Sequence, residues 1–139
     1  MLEGWHNDDY LVLSEGKAEA DHITELYGIS EYLPDYTVVG LRGWDDFIVA
    51  DSQGRLFGIP TLPLDPKGLT PFVVQIDPAA LKPDQRFTKK VKWYVKPILF
   101  GGDWRANENI AWLSLEEHAE LVRWWNKFYR ETFAKNETA

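Results

Sequence analysis

Adjacent carboxylates stand at Asp45 and Asp46, with a third at Asp51 a short distance along the chain. Closely spaced carboxylates are the groups that general acid–base catalysis uses, one as the acid and the other as the base. Asp51, however, falls where two strand-like runs meet in a hairpin, and Asp at such a position commonly bonds its own backbone. The chain also lacks the sequence patterns of a serine-hydrolase elbow, a phosphate-binding loop and a zinc-protease helix. The sequence therefore predicts a protein that is not an enzyme.

Histidine, the commonest metal ligand and general base, occurs at His6, His22 and His118. These positions lack the i, i+4 or short-loop spacing that brings two ligands to one metal ion. Cysteine is absent, which excludes disulfides, cysteine-bound zinc and a thiol nucleophile. We therefore predict no metal and no cofactor, and we expect His118 to be a partly buried, hydrogen-bonded side chain beside Glu117.

The acidic charge is concentrated in one half of the chain. Residues 1–69 carry 13 Asp and Glu against 4 Lys and Arg, whereas residues 70–139 carry 9 against 11. The net charge is therefore −9 in the first half and +2 in the second. An acidic face repels nucleic-acid phosphates and attracts basic proteins, or it serves only to keep a domain soluble. Both interpretations stay open, and neither has nucleic acid as a partner.

Trp44 differs from the other aromatic residues because it lies in a tight turn beside Arg42, Asp45 and Asp46, outside any apolar periodic run. An exposed aromatic side chain surrounded by charge has the composition of a binding hot spot. The alternative is a tryptophan folded back over the edge of the sheet. The sequence leaves both interpretations open.

Three short apolar runs predict a central antiparallel meander. Residues 36–39, 47–50 and 55–59 are rich in β-branched and aromatic side chains, and turns that contain glycine separate them. Gly54 provides the left-handed conformation that the second turn requires.

Two further strands are predicted downstream. Residues 72–76 form an apolar run, and residues 90–96 alternate Val91, Trp93 and Val95 with lysines and a tyrosine, which is typical of a half-buried strand. Between these two runs, the Asp-Pro pair at residues 77 and 78 predicts a short helical turn with Asp at its N-cap.

Helices are predicted near both ends of the chain. We expect a short N-terminal helix, a second helix around residues 25–31, and a long C-terminal helix over about residues 115–133. The last has the strongest signal, because the Ser-Leu-Glu-Glu run beginning at Ser114 is a capping box. Trp124 and Trp125 are neighbours about 100° apart on that helix, so we expect Trp124 at the edge of the packed face or in an interface. The face expected to pack inward holds His118, Leu121, Val122, Trp125, Phe128, Tyr129 and Thr132.

These elements together predict the α+β class. We expect residues 1–139 to form a single domain, with a twisted antiparallel sheet of about five strands flanked by helices. The long C-terminal helix would close one side. The N-terminus has no basic segment followed by an apolar stretch, and no apolar run approaches the roughly 20 residues of a membrane helix. The sequence thus predicts a soluble, cytoplasmic protein without a membrane partner.

The motifs between Tyr32 and Asp65 follow a recognisable order: Leu-Pro, an aromatic residue, an apolar run, a turn with glycine and acid, and two further apolar runs ending in Leu-Asp. This order resembles the central block of the SUKH superfamily, which includes yeast cell-wall-assembly regulators and many bacterial immunity proteins. The resemblance covers about residues 9–65. The matching positions are Leu33-Pro34, Gly40, Gly43, Asp45, the strand at 47–51, Gly54 and Leu64-Asp65.

The resemblance implies an immunity-type protein of a polymorphic toxin system, acting as a monomer or weak homodimer. Its partner would be a cognate protein toxin, basic in charge, such as a nuclease, whose active site or substrate groove an acidic surface occludes. The resemblance implies a concave, variable binding surface at the turn that contains Trp44. The residues assigned to that surface are Arg42, Trp44, Asp45 and Asp46, with Glu25, Glu31 and Asp35 on its rim.

Two other functions are consistent with the sequence. One is a structural or phage-associated protein that oligomerises through its Trp-rich C-terminal helix, with Trp124, Trp125, Phe128 and Tyr129 in the self-interface. The other, a weaker alternative, is a small-molecule-binding domain or hydrolase that uses the loop at residues 101–109, although a simple chain turn is the favoured explanation of its two glycines.

Overall fold

In the computed structural model, which describes residues 1–134, the chain has a mixed α+β architecture. Six antiparallel strands lie side by side in chain order in the main sheet, and two more strands form a small second sheet. The main sheet consists of β1 (Leu2–His6), β2 (Asp9–Leu13), β3 (Thr37–Arg42), β4 (Asp46–Ala50), β5 (Leu56–Pro60) and β6 (Thr70–Pro71). The small sheet consists of β7 (Val91–Tyr94) and β8 (Ile110–Leu113), and the helices are α1 (Gly16–Leu26) and α2 (Leu115–Tyr129).

The predicted three-stranded meander is confirmed. Strands β3, β4 and β5 pair antiparallel, and Phe47 and Val49 of β4 are fully buried. Gly54 adopts a φ of 80°, and the Asp51 carboxylate accepts hydrogen bonds from two backbone amides of the same turn. Asp51 therefore shapes the β4–β5 turn, the role that its sequence position indicates.

The N-terminal segment contradicts the expected short helix. It forms the β1–β2 hairpin, whose turn places Asn7 in the left-handed region with a φ of 52°. Tyr10 and Val12, two residues apart, both belong to the main core, which is the side-chain spacing of a strand. The hairpin also makes the sheet one strand wider than the expected five.

The helix expected around residues 25–31 lies earlier in the chain. It occupies Gly16–Leu26 as α1, and only a single 3₁₀ turn, Ile29–Glu31, covers the later residues. Gly28 adopts a φ of 64° between the two segments, and this left-handed residue ends the helix. Tyr27 and Ile29 on either side of Gly28 are fully buried, so the chain reverses direction without leaving the core.

The strand expected at residues 72–76 is absent from the described structure because β5, the strand that it would pair with, does not extend far enough. Strand β6 contains only Thr70–Pro71, and the amide of Phe72 donates the last bond of this edge, to the carbonyl of Leu56. Leu56 is the first residue of β5, so the residues after Phe72 have no strand to pair with. Val73 is accordingly 84% exposed. The expected helical turn after this segment is confirmed as the 3₁₀ turn Pro78–Ala80.

The strand expected at residues 90–96 is confirmed as β7. Val91 and Trp93 are buried as the alternation predicts, whereas Val95, expected on the same face, is 57% exposed. Strand β7 ends at Tyr94, so the alternation does not extend to Val95.

The C-terminal helix is confirmed, including its capping box. The Ser114 hydroxyl accepts from the amide of Glu117, whose carboxylate accepts from the amide of Ser114. The helix continues as a π-helical segment, Arg130–Ala134. Its buried face differs from the expected one, because Phe128 and Thr132 are exposed whereas two residues outside the predicted face are buried. The fully covered positions are His118, Ala119, Val122 and Asn126.

Tyr27 and His118 join the two helices in the middle of the core. The Tyr27 hydroxyl lies 2.6 Å from Nδ1 of His118, and the Tyr27 ring packs edge-on against Phe47 of β4 at 4.8 Å. The ring of Trp93 in β7 packs against the His118 ring, and the two ring centres are 5.3 Å apart. If the Tyr27 hydroxyl donates to Nδ1, the histidine is neutral and carries its proton on Nε2, which has no partner among residues 1–134. Burial lowers the pKa of His118 to about 3.

Two buried polar side chains attach the helices to the sheet. Thr24 of α1 accepts from the amide of Val38 at 2.8 Å, beside the irregular step in the β3–β4 pairing. Asn126 of α2 accepts from the amide of Leu64 at 2.7 Å and donates to the carbonyl of Thr61 at 2.8 Å. These three bonds end on backbone groups within β3 or in the segment after β5, so they fix the position of each helix along the sheet. No helix in the described part of the chain is sufficiently long and apolar to cross a bilayer.

The lowered pKa of buried His118 predicts that the folded protein loses stability in acid. Its pKa is about 3 in the folded protein against an ordinary 6.5, so between these pH values the unfolded chain binds a proton that the folded chain does not. The stabilisation is complete above pH 6.5 and is lost as the pH falls toward 3, by up to roughly 5 kcal/mol. Urea denaturation from pH 7 to pH 4 should therefore show a pH dependence that His118→Gln reduces and that His22→Gln, at an exposed histidine, retains. Equal pH dependence in all three proteins would contradict this role.

Candidate partner-binding site

The residues assigned to one binding surface fall into two groups at opposite ends of β3. Thr37 begins this strand opposite Ala50, and Arg42 ends it opposite Asp46. Five residue steps in a strand separate the two ends by roughly 17 Å. The rim residues Glu25, Glu31 and Asp35 lie at the first end, and the turn residues Arg42, Trp44, Asp45 and Asp46 lie at the second.

The first group lines a cleft of about 640 Å³, called the acidic cleft below. Four segments meet there: the C-terminal half of α1, the 3₁₀ turn after it, the residues that lead into β3, and the β4–β5 turn. Five acidic side chains and no Lys or Arg line it. The lining residues are Asp21, Thr24, Glu25, Gly28, Ser30, Glu31, Pro34, Asp35, Tyr36, Thr37, Asp51 and Ser52.

Three of the five carboxylates in the acidic cleft lack an ion-pair partner among residues 1–134. Asp21 pairs with Lys17 on the same helix at 3.0 Å, and Asp51 pairs with Arg55 across its turn at 2.7 Å. Glu25, Glu31 and Asp35 are all exposed, and no cation of the described chain lies within 4.0 Å of them. The three rim residues named from the sequence are thus the carboxylates of the acidic cleft without an ion pair in the described chain, and Glu31 also borders a groove lined by Arg123, Lys127 and Arg130.

The backbone beneath these carboxylates is held by buried residues. Tyr32 and Leu33, between Glu31 and Asp35, are buried, and the guanidinium of Arg130 lies 4.0 Å from the centre of the Tyr32 ring. The hydrogen bond from Val38 to Thr24 attaches the start of β3 to α1. A partner would therefore meet a pre-positioned set of charges, which reduces the entropy lost on binding.

Asp21 and Asp51 also line the acidic cleft, although the sequence did not assign them to it. Asp21 lies one helical turn before Glu25, so an earlier placement of α1 puts both carboxylates on one side of the helix. Asp51 enters the cleft because β4 ends beside the start of β3, a consequence of their antiparallel pairing. Strand pairing and helix bounds together would have located both residues.

Of the two interpretations of Trp44, the exposed hot spot is wrong, and the structure shows the tryptophan folded back against the sheet. Gly43 and Trp44 both take left-handed conformations, with φ of 59° and 67°, and Trp44 is only 8% exposed. Its ring stacks on Tyr10 at 5.2 Å and packs against Phe87 and Trp112 at 5.3 and 5.4 Å. The cause is tertiary: Phe87 precedes β7 and Trp112 lies in β8, and both cover the β3–β4 turn. Trp44 is thus a core residue.

The other turn residues are divided between an ion pair and a second cavity. Arg42 pairs with Asp9 of β2 at 2.9 Å, so its charge is already engaged. Asp45 and Asp46 line a smaller cavity of about 240 Å³ that is separate from the acidic cleft. Burial raises the pKa of both carboxyls, and the opposing effects of Lys92 on Asp45 and of Arg42 on Asp46 are smaller.

The 101–109 loop is packed as a structural turn. A Cβ added to Gly102 would lie 1.7 Å from the carbonyl oxygen of Lys96, so only glycine fits there. The Asn109 side chain bonds the backbone of Lys96 in both directions and also the carbonyl of Asp103. Across residues 1–134, no group of three or more His, Asp or Glu side chains is placed to hold a metal ion.

The fold and the cleft define an α+β domain with a six-stranded antiparallel meander and an acidic groove at one end of its third strand. Comparison with models of known protein families, with curated protein sequences and with solved structures found no match to this chain. The SUKH resemblance thus rests on motif order alone and stays a prediction.

Replacing Trp44 tests its place in the core. We expect Trp44→Ala to lower the free energy of unfolding by about 3–5 kcal/mol, because it removes a large buried ring and leaves a cavity. Trp104→Ala is the matched control, since Trp104 is 56% exposed and should change stability by about 0.5 kcal/mol or less. Urea denaturation followed by far-ultraviolet circular dichroism measures both. Similar stabilities of the two variants would show that Trp44 is not packed as described.

Proposed function

We propose that this protein is a non-enzymatic, immunity-type protein that binds and neutralises a basic protein toxin through the acidic cleft. The observation that carries the proposal is the cleft itself: three exposed carboxylates without ion-pair partners in the described chain, on an anchored backbone. The motif order that resembles the SUKH superfamily supports the immunity role.

The charge of the cleft favours a basic protein over other partners. Unpaired carboxylates repel the phosphates of nucleic acids and raise the encounter rate of positively charged proteins. The cleft is also broad enough, at about 640 Å³, to receive several side chains from one partner surface. Neutralisation would then be stoichiometric, with the bound domain covering the toxin's active site or substrate groove.

The electrostatic contribution to this binding should appear as a dependence of the association rate on salt concentration. Exposed charge pairs at an interface act mainly on the association rate and are screened by salt. The complex should therefore form more slowly as the salt concentration rises, while its dissociation rate changes less. A partner held by apolar contacts alone would show an association rate that changes little with salt.

Neutralising the cleft tests the proposal. The partner is first isolated from the native host with the tagged protein, and its toxicity and its inhibition by this protein are then measured. We expect the triple variant Glu25→Gln, Glu31→Gln, Asp35→Asn to bind that partner at least about tenfold more weakly by calorimetry, because three rim charges are lost. Its loss of affinity should be largest at low salt.

A control variant with the same change in net charge separates the cleft from the overall charge. Asp8→Asn, Glu108→Gln, Glu120→Gln alters three exposed carboxylates outside the cleft, none of which makes a side-chain hydrogen bond or ion pair within residues 1–134. This variant should bind nearly as tightly as the natural protein. Equal weakening in both variants, or a captured partner that is not toxic, would contradict the proposal.

Exposed aromatic side chains favour a second candidate, a structural or phage-associated protein that self-associates. Trp124, Phe128 and Phe133 are 56%, 37% and 38% exposed, and the rings of Trp124 and Phe128 stack at 5.4 Å. Phe100 extends this surface, at 5.2 Å from Phe128 and 5.9 Å from Phe133. Contiguous exposed apolar surface of this kind marks interaction sites. Of the four residues expected in the self-interface, Trp125 and Tyr129 are only half-exposed.

Solution mass tests the second candidate. If the aromatic surface mediates self-association, the mass by light scattering should exceed the 16.1 kDa of one chain and rise with concentration. Trp124→Ser, Phe128→Ser should return the mass to that of one chain, whereas Trp104→Ser, at an exposed tryptophan away from α2, should not. A mass of one chain at all concentrations would exclude this candidate.

A further inference from the structure

A second cavity lies at the opposite end of β3 from the acidic cleft. It has a volume of about 240 Å³ and is formed by the β3–β4 turn, the segment after β5, strand β7 and the 3₁₀ turn Ile98–Phe100. Its size is below the roughly 300–1,000 Å³ of pockets for drug-sized ligands, which suits a single side chain. The lining residues that carry the argument are Asp45, Asp46, Leu62, Trp93, Tyr94 and Ile98.

The two carboxylates at this cavity have no ion-pair partner within residues 1–134. Arg42, the nearest guanidinium along the chain, pairs with Asp9. The ammonium of Lys92 lies over aromatic rings, 5.0 Å from the centre of Tyr94 and 5.9 Å from that of Trp44, and outside ion-pair distance of Asp45. Burial raises the pKa of both carboxyls, and nearby Lys92 and Arg42 lower it by less. Asp46 is half-buried, whereas Asp45 is exposed. A cation that reaches the half-buried Asp46 would therefore gain more than at a fully solvated surface.

The walls of the cavity are aromatic and aliphatic. Trp93 is 7% exposed, and its Nε1–H has no acceptor among residues 1–134. Leu62 and Ile98 supply apolar surface opposite the carboxylates. The cavity thus combines negative charge with aromatic and apolar walls.

We propose that this cavity binds the side chain of an arginine residue displayed by a partner protein. The guanidinium would pair with Asp45 and Asp46, its flat face would lie against an aromatic ring, and the aliphatic stem would cover the apolar wall. Arginine fits better than lysine because its planar guanidinium bonds carboxylates in two directions and stacks on aromatic faces. The inference rests on the proposed function for the identity of the partner, but not for the chemistry of the cavity.

Blocked amino acids test the cavity without any partner. The probes are N-acetyl-arginine N-methylamide and the matching citrulline derivative, which has nearly the same shape and no charge. We expect the arginine probe to shift the indole N–H signal of Trp93 in two-dimensional NMR spectra, with a dissociation constant on the order of 1 mM. The citrulline probe should bind at least about tenfold more weakly. No shift with the arginine probe, or equal shifts with both probes, would overturn the proposal.

Two variants locate the binding and separate it from the acidic cleft. Asp45→Asn, Asp46→Asn should weaken the arginine probe at least about tenfold, whereas Glu25→Gln, Glu31→Gln, Asp35→Asn should leave its affinity unchanged. Retained affinity in the first variant would overturn the proposal. If the cleft variant binds the arginine probe normally but the cleft fails to bind a toxin, the proposed function fails while the arginine pocket stands.

Discussion

The hydrogen bond between Tyr27 and His118 determines where the two helices lie, and the cleft depends on that position. Tyr27 caps α1, His118 lies in the first turn of α2, and both rings are fully buried against Phe47 and Trp93. A buried pair of this kind fits only one arrangement, because each polar atom that loses its partner in a dry core costs about 1–3 kcal/mol. The segment after α1, which carries Glu31 and leads to Asp35, is placed by this constraint.

Some carboxylates of the described chain are bonded within the protein, whereas others have no ion-pair partner there. Carboxylates that shape turns or pair within the chain, such as Asp51 and Asp84, are satisfied by neighbouring amides and arginines. Five carboxylates without an ion pair in the described chain lie at the two ends of β3, three in the acidic cleft and two beside the 240 Å³ cavity. A strand whose centre is buried in a core can present side chains to a partner only at its ends. The binding chemistry proposed here follows that geometry.

The sequence correctly predicted the helix caps and turns, because these depend on interactions between residues that are close together in the chain. The capping box at Ser114, the left-handed Gly54 and the N-cap at Asp77 each involve groups within a few residues of one another, so the sequence shows them directly. The family resemblance assigned Glu25, Glu31 and Asp35 to the rim of a surface at the Trp44 turn, whereas the structure places them in a separate cleft. The burial of Trp44 was not predictable from its neighbours, because Phe87 and Trp112 reach it from distant segments. The strand expected at residues 72–76 failed for the same reason, since only the end of β5 limits it.

The order of the strands has a consequence for how the chain folds. Every strand of the main sheet pairs with its neighbour in sequence, so most of its ladders close short loops and lose little chain entropy. The contacts that complete the core are different: Tyr27 and His118 are 91 residues apart, and Asn126 lies 65 residues from Thr61. The hairpins can therefore form early and independently. We expect the docking of α2, which closes these long loops, to make the folding transition cooperative.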